Sequence, residues 1–253
     1  MLKETWVLTK VKLKTNLTVN LRMVKGDNKG HKYEKKIVKI LQNKGLMPGE
    51  ISGVGSGPGI DAFFTHKGKK YSVEIKNLPN TELGQKRLKP KQVGQQWKWN
   101  WSEKKQDLEI TKYFTKIGVL DYLNDKKIIP NKHRKRDSEI TLEDVREDQR
   151  NMAESKFSIP DTTISMFYQD KADYFQIGDG YGFYHTKNDK AKLGTEKISP
   201  ECVLRFRLKR HNPSHPPLSN VSFMAVIRSK KFRKKSNYNI EEADDQTFPP
   251  IKP

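Results

Sequence analysis

The spacing of apolar side chains predicts a hairpin and then a helix at the start of the chain. Residues 6–24 alternate apolar and polar side chains around the turn Thr15-Asn16, which predicts a β-hairpin with one basic face. From His31 to Asn43 the apolar residues recur at helical spacing, and Gly45 follows where a helix C-cap is expected. We therefore expect an amphipathic helix that ends near Gly45.

A second hairpin is predicted after a glycine-rich loop at residues 49–59. Two strand-like runs, 60–65 and 70–75, flank His66-Lys67-Gly68-Lys69, and such a short glycine-containing segment is typical of a hairpin turn. The two runs are therefore expected to pair as antiparallel strands.

The middle of the chain is less regular. Residues 84–91 are basic and rich in turn-forming residues, so we expect a basic turn. Residues 92–101 bring together glutamines and three alternating tryptophans, for which core packing is expected and base stacking is the alternative. Residues 108–123 have the spacing of one helix, and Thr141 with Asp144 matches the capping box that opens another.

Strand-like patterns dominate beyond residue 157. Short apolar runs lie at 164–168, 174–177, 182–184, 203–209 and 221–227. The tail from Ser229 has a basic run, then acidic and Pro-rich residues, and is expected to be disordered.

These elements predict an α/β (α+β) chain with one main core, since 253 residues suffice to bury one. We assign residues 1–25 to a basic β-hairpin and 26–130 to the core. Residues 131–228 would be a β-rich continuation of the core or a DNA-binding subdomain, and residues 229–253 a tail.

The charge balance indicates a polyanionic partner. Fifty Lys and Arg against thirty Asp and Glu leave a formal charge of +20, which favours nucleic acid. A Lys-rich source proteome is the alternative explanation. No apolar run approaches the ~18 residues of a membrane span. The single cysteine, Cys202, excludes an intrachain disulfide, fits a core position and indicates a cytoplasmic protein. A bacterial, phage or viral source is expected.

Two carboxylates and a lysine form the chemical centre of the sequence. Asp61 begins the first strand of the second hairpin, and Glu74 and Lys76 lie near the end of its partner strand. Pairing would bring Asp61 beside Glu74, while the two-residue spacing points Glu74 and Lys76 to one face. Hydrolysis of a phosphodiester needs a divalent cation, and Mg²⁺ prefers carboxylate oxygens. Lys76 would orient or activate the attacking water.

This arrangement, Pro58-Gly59-Ile60-Asp61 with Glu74-Ile75-Lys76, resembles the catalytic motif of the PD-(D/E)xK (restriction-endonuclease-like) nuclease superfamily. The resemblance covers roughly residues 30–100 and implies a central mixed sheet flanked by helices. Gly59 and Ile60 separate the proline from the aspartate, so Pro58 is not needed for the argument. Glu-x-Lys alone is weak in a Lys-rich chain, and an exposed hairpin with ordinary charges is the alternative.

The resemblance extends to further residues. Glu34, on the helix before the strand pair, matches an acidic residue that often completes the metal site, although it would also suit helix-surface ion pairs. Gln92 and Gln96 match a glutamine that contacts the phosphate or orients the lysine in several relatives. They are four residues apart and would share one face of a helix, where a plain polar surface is the alternative.

Other basic residues would hold the substrate. We expect Lys86, Arg87, Arg205 and Arg207 to contact phosphates without reading sequence, although solvated charge is equally compatible with each. In the run 203–209 the cations alternate with apolar residues, so they would lie on one side of a strand.

The resulting hypothesis is a Mg²⁺-dependent DNA endonuclease of restriction type, with Mn²⁺ as a substitute cation and a homodimer as a natural form for a double-strand cut. Junction-resolving and repair nucleases are alternatives within the class, and RNA is an alternative substrate. Two alternatives are not nucleases: a non-enzymatic nucleic-acid-binding protein, and a structural virion or chromatin-packing protein. Either would explain the charge but not the motif.

Overall fold

The computed structural model describes residues 29–47, 60–102, 108–210, 218 and 220–242, and its fold is α+β. In this part of the chain, a mixed four-stranded sheet lies beside a curled five-stranded antiparallel half-barrel. The predicted hairpin at 6–24, the glycine-rich loop and the tail from residue 243 lie outside the described residues.

Five α-helices and nine strands are found in these ranges. The helices are α1 (Lys29–Asn43), α2 (Leu108–Lys116), α3 (Val119–Asp125), α4 (Leu142–Glu154) and α5 (Thr162–Tyr168). The strands are β1 (Ala62–His66), β2 (Lys69–Lys76), β3 (Glu82–Val93), β4 (Gln96–Trp101), β5 (Lys156–Ile159), β6 (Tyr174–Ile177), β7 (Gly182–His185), β8 (Pro200–Arg210) and β9 (Val221–Phe232). Three 3₁₀ turns lie at Asn131–His133, Asp137–Glu139 and Ile240–Glu242.

The mixed sheet has the order β1-β2-β6-β7. Strands β1 and β2 form the predicted antiparallel hairpin, in which Lys67 (φ 49°) and Gly68 (φ 74°) form the turn. Two successive positive φ values are the signature of a type I′ turn, whose twist matches that of the strands. Strand β6 then pairs with β2 in parallel, and β7 pairs with β6 antiparallel.

Helix α1 covers one face of the mixed sheet, as its apolar spacing predicts. Its buried residues Ile37, Val38 and Leu41 belong to one apolar cluster with side chains of β1, β2, β6 and β7. At its end, Gly45 (φ 66°) donates to the Gln42 carbonyl, and the next amide donates to that of Leu41. This pair of bonds is a Schellman motif, so the predicted C-cap at Gly45 is confirmed.

The half-barrel has the order β4-β3-β9-β8-β5, and its inner face forms the larger apolar cluster. The chain leaves the mixed sheet after β2, builds β3, β4, the helices α2 to α4, β5 and α5, and returns to the mixed sheet at β6. It then completes the half-barrel with β8 and β9. The two sheets are therefore interleaved in sequence, which ties the end of β2 to the start of β3.

The predicted basic turn at 84–91 was wrong, because these residues lie within β3. Lys86, Leu88 and Pro90 face inward, whereas Arg87 and Lys89 are exposed. A lysine and a proline occupy inner positions of the strand, which conceals its period of two in the sequence. The helical face proposed for Gln92 and Gln96 was wrong for the same reason, since both lie in the β3–β4 hairpin.

Other elements also differ from the predictions. The single helix at 108–123 is two helices, broken by Gly118 in the left-handed region (φ 85°). Residues 164–168 are helical rather than extended, because a short run buried almost all round has no distinguishing period. Disorder from Ser229 was wrong for 229–242, where β9 continues and Ile240 is buried.

Several other predicted elements are confirmed. Thr141 and Asp144 form the expected capping box of α4, and the predicted strands at 174–177, 182–184, 203–209 and 221–227 are present as β6 to β9. Cys202 is buried in β8, and burial raises the pKa of its thiol to about 12. Throughout the described ranges, no helix combines the length and apolarity needed to cross a membrane.

Candidate functional site

Asp61, Glu74 and Lys76 come together at the end of the β1–β2 hairpin. The register pairs Ala62 with Val73, so Asp61 stands opposite Glu74. The Asp61 carboxylate also accepts a hydrogen bond from the Ile75 backbone amide at 2.7 Å, which fixes it against β2. The convergence expected from the sequence is therefore present.

The Lys76 ammonium lies between the two carboxylates. Its Nζ is 2.5 Å from Glu74 Oε1 and 3.5 Å from Asp61 Oδ2. The three side chains are only 19%, 11% and 16% exposed for Lys76, Glu74 and Asp61. The charges are thus largely shielded from water, which strengthens their interaction.

Alternation along β2 sorts its side chains as predicted. Val73 and Ile75 are buried in the cluster under α1, whereas Glu74 and Lys76 point to the opposite face. On that face the parallel neighbour β6 contributes Phe175 beside Glu74, and Phe175 belongs to the core of the half-barrel. The charged pair therefore lies on the side of the mixed sheet that faces the half-barrel.

Tyr168, at the end of α5, connects the site to the second sheet. Its hydroxyl is shared between the Leu83 carbonyl, in β3, and Glu74 Oε1, which is 3.2 Å away. Burial and the nearby Glu74 raise the pKa of Tyr168 well above its usual value, so its hydroxyl remains a donor. Sequence reasoning did not find this residue, because only the tertiary fold brings residues 74, 83 and 168 together.

Burial and neighbouring charge shift both ends of the ion pair. Burial raises the pKa of Glu74, with Lys76 opposing the shift and Asp61 adding to it. For Lys76, burial lowers the pKa, but the carboxylates of Glu74 and Asp61 more than offset this, and its pKa is raised. Lys76 is therefore an ammonium at neutral pH.

Glu34 approaches the site without joining it. Its Oε2 lies 3.2 Å from Nδ1 of His31 on the same helix, and its negative charge contributes to the raised pKa of Lys76. Within the described ranges, no three His, Cys, Asp or Glu side chains lie close enough to hold a metal ion. Glu34 does not complete a cluster with Asp61 and Glu74, and its role as a metal ligand stays a prediction.

The donor set at the hairpin end nevertheless suits a hard cation. Asp61 and Glu74 offer carboxylate oxygens on two adjacent chain segments, and one or two carboxylates with water are what Mg²⁺ commonly uses. The Lys76 ammonium already stands between them as a positive charge. Both carboxylates therefore face a point at which positive charge is stabilised.

The backbone around the site is held by close contacts. The Gly178 amide donates to the Lys76 carbonyl at 2.7 Å, and a Cβ at Gly178 would lie 2.5 Å from the Asn77 carbonyl oxygen. Residues 77–81 then lead into β3, and Thr81 exchanges two 3.0 Å hydrogen bonds with Ser229. Only glycine fits at position 178, so the turn after β6 lies in direct backbone contact with the end of β2.

The other predicted substrate contacts are dispersed. Gln92 and Gln96 are exposed at the far end of β3 and the start of β4. Gln92 is nine residues beyond Leu83, about 30 Å along the strand at ~3.3 Å per residue. These glutamines are not gathered at Lys76. Trp99 is buried against Phe223, as expected for core packing.

Of the four basic residues expected to contact phosphates, one is buried and three are on the surface. Lys86 is buried, with its Nζ 4.8 Å from the centre of the Phe167 ring, and so is not on the surface. Arg87 is exposed and donates to Ser222 Oγ at 2.7 Å. Arg205 and Arg207 lie on the outer face of β8, where alternation places them on one side as predicted.

Comparisons of this chain with protein-family models, with curated proteins and with solved structures gave no match. The interpretation of the site therefore depends on its geometry and on the motif in its sequence.

Proposed function

We propose that this chain is a Mg²⁺-dependent endonuclease that hydrolyses phosphodiester bonds in DNA, with a restriction-endonuclease-like core. The observation that carries the proposal is the convergence of Asp61, Glu74 and Lys76 on one point at the end of a β-hairpin. A restriction-type enzyme is the first subtype, and a junction-resolving or repair nuclease is the second. Mn²⁺ is expected to substitute for Mg²⁺, and RNA is the alternative substrate.

In this proposal Asp61 and Glu74 would hold the cation, and Lys76 would act on the substrate. A bound Mg²⁺ supplies Lewis-acid stabilisation of the phosphoryl oxygens and lowers the pKa of water. Because the pKa of Lys76 is raised, its ammonium would donate to a phosphate oxygen or orient the nucleophilic water rather than remove a proton. Tyr168 would hold Glu74 in place by its shared hydroxyl.

The charge of the whole chain supports a nucleic-acid substrate. A formal charge of +20 attracts a polyanion and would speed association with it. The mixed order of β1, β2 and β6, with α1 on one face, is also compatible with the core expected from the motif.

A second candidate function is a polyanion-binding protein without catalysis. The observation that favours it is the 2.5 Å contact between Lys76 and Glu74, since the ammonium already compensates one of the two carboxylate charges. Such a protein would bind nucleic acid with steep salt dependence and would show no metal-dependent turnover.

Cleavage assays separate the two functions. Wild-type protein is expected to nick or cleave supercoiled, linear or branched DNA with Mg²⁺ and to be inactive in EDTA. Asp61→Ala and Glu74→Ala should abolish cleavage but keep binding, whereas Glu154→Gln, which neutralises an exposed carboxylate on α4, should keep both. Binding without cleavage of any substrate by the wild type would favour the second candidate, and cleavage undiminished in both alanine variants would refute the site.

A further inference from the structure

Four arginines line one cavity on the outside of the half-barrel, away from the Asp61–Glu74 site. The cavity has a volume of about 420 Å³ and lies between α4 and β8. Its walls carry the side chains of Arg146, Gln149, Arg150, Ala153, Arg205, Arg207 and Leu208.

The local structure explains why these arginines converge. Arg146 and Arg150 are four residues apart, so they occupy one face of α4 about 6 Å from each other. Arg205 and Arg207 are two residues apart on β8, on one side of the sheet and about 7 Å apart. The two pairs belong to elements that pack together, because Val145 of α4 is buried in the same apolar cluster as Leu204 and Phe206 of β8.

The positive charge in the cavity is only partly compensated. Glu143 lies 3.7 Å from Arg146 and 2.9 Å from Arg150, and Glu82 lies 2.9 Å from Arg207. Two carboxylates thus face four guanidinium groups. Among the described residues, none forms an ion pair with Arg205, and the Arg207 Nε is shielded from solvent without a hydrogen-bond partner. The cavity therefore retains an excess of donors and of positive charge.

We propose that this four-arginine cavity binds the phosphodiester backbone of a nucleic-acid strand. The planar guanidinium group matches a phosphate with two parallel hydrogen bonds, which a lysine cannot offer. Arg146 and Arg150 have side chains that are 60% and 59% exposed, so a single free phosphate ion would remain in competition with water. Successive phosphates of one strand can instead engage several of the arginines together, since the two arginines of each pair are about 6–7 Å apart.

This inference deepens the proposed function, on which it rests for the identity of the ligand. A chain of contacts joins the cavity to the site: Arg207 pairs with Glu82 at the start of β3, and the next residue, Leu83, accepts from Tyr168 beside Glu74. A strand anchored at the cavity would therefore be held by the same frame that positions Glu74. The arginines are substrate-positioning residues and would not touch the reacting phosphate.

The test is DNA binding by the full chain in EDTA, where cleavage does not occur. The double variant Arg150→Gln/Arg205→Gln removes one arginine from each wall. The matched control, Lys112→Gln/Lys116→Gln, removes two exposed cations four residues apart on α2, so both variants lose the same net charge. Thermal unfolding of both variants checks that they fold. Affinity for a labelled duplex is measured over a series of salt concentrations by fluorescence anisotropy.

The proposal predicts at least about tenfold weaker binding by the arginine variant than by the control. It also predicts that the slope of log affinity against log salt concentration is smaller in magnitude by about 1.8 for the arginine variant than for the control, since each lost phosphate contact removes ~0.9 for B-form DNA. Equal affinity and slope for the two double variants would overturn it. A second result would also overturn it. If inorganic phosphate raised the unfolding temperature of the wild type and the control but not of the arginine variant, while the arginine variant bound DNA as tightly as the control, the ligand would be a free anion. Since no step requires turnover, a wild type that binds but never cleaves would refute the nuclease and leave this inference standing.

Discussion

At the scale of single residues, the side chain of Lys76 determines how Asp61 and Glu74 can coexist. Two carboxylates that are shielded from water repel each other unless a cation lies between them. The Lys76 ammonium fills this role, 2.5 Å from one carboxylate and 3.5 Å from the other. It is therefore both a candidate catalytic group and the internal counter-ion of the site.

Replacing Lys76 should expose a need for an added cation. The variant Lys76→Met keeps most of the apolar stem but leaves the two carboxylates facing each other, so its unfolding temperature in EDTA should fall. Mg²⁺ should then raise that temperature more than it does for wild type, because an ion that binds only the folded state stabilises it. Differential scanning fluorimetry with and without millimolar Mg²⁺ measures both effects.

Lys190→Met is the matched control for this prediction, because Lys190 pairs with the single carboxylate of Asp173 at 2.6 Å. Its unfolding temperature should respond to Mg²⁺ as that of wild type does. If Lys76→Met gained no more from Mg²⁺ than the control, Asp61 and Glu74 would not form a cation site.

The main site residues were predictable from the sequence, whereas their supports were not. The spacing of residues 61, 74 and 76 about a tight turn, together with strand alternation, sufficed to place three charges together. Tyr168 reaches Glu74 from 94 positions away along the chain. No local pattern carries such a contact, and residues 164–168 even resembled a strand.

Among the secondary-structure elements, the start of α4 could be predicted from its local sequence alone. The Thr141 side chain accepts from the Asp144 amide, and the Asp144 carboxylate accepts from the Thr141 amide. Both halves of this box were evident from residue types three positions apart. By contrast, β3 was concealed, because its inward side chains include Lys86, whose stem packs while its charge lies over an aromatic ring.

Removing the cap should weaken the protein by a modest amount. Thr141→Ala deletes the side-chain acceptor at the start of α4, and such a loss typically costs about 1 kcal/mol in the free energy of unfolding. Urea denaturation followed by circular dichroism measures it. A variant as stable as wild type would mean that the first turn of α4 finds another acceptor.

A second prediction for α4 concerns pH. Burial raises the pKa of Asp148 to about 6, despite the hydrogen bonds from Asn131 that oppose the shift. In the unfolded chain this carboxyl titrates near ~3.9. The folded state therefore holds the proton more tightly, and the stability that this provides is complete below about pH 4 and is lost as pH rises through about 6.

Asp148→Asn removes that titration and tests the sign of the effect. The difference in unfolding temperature, variant minus wild type, should rise between about pH 4 and pH 6 and stay constant above this window. Thermal melts across the range provide the measurement. A difference that fell with rising pH, or that did not change, would contradict the raised pKa.

At the scale of the whole molecule, the C-terminal segment fastens α1 to the mixed sheet. Gln176, fully buried in β6, donates to Tyr33 of α1 and to Asn239, and accepts from the Ile240 amide. Glu241 in turn accepts from Tyr33 at 2.8 Å. Sequence reasoning missed this arrangement, because a charged, Pro-containing tail resembles a disordered one until a buried partner such as Gln176 is known.

Gln176→Leu should therefore be strongly destabilising. The leucine would leave the buried Ile240 amide without its acceptor and would remove one of the two donors to Asn239 Oδ1, which keeps the Glu241 amide. A buried unsatisfied group costs ~1–3 kcal/mol, and the lost hydrogen bond to Asn239 adds to this. Chemical denaturation gives the free energy. A loss below about 1 kcal/mol would show that the C-terminal segment is not held through this residue.

A hairpin, a helix and two interleaved sheets hold the Asp61 and Glu74 carboxylates together. The proposed joint role of this pair is checked by single-turnover DNA cleavage with Mg²⁺ for wild type, Asp61→Asn, Glu74→Gln and the double variant, each at saturating protein. Either single replacement should lower the rate by about 10³-fold or more, and the double variant should be no slower than the single variants, because the effects of residues that act as a unit are not additive. Equal rates in all four proteins, or losses that simply multiply in the double variant, would contradict this joint role.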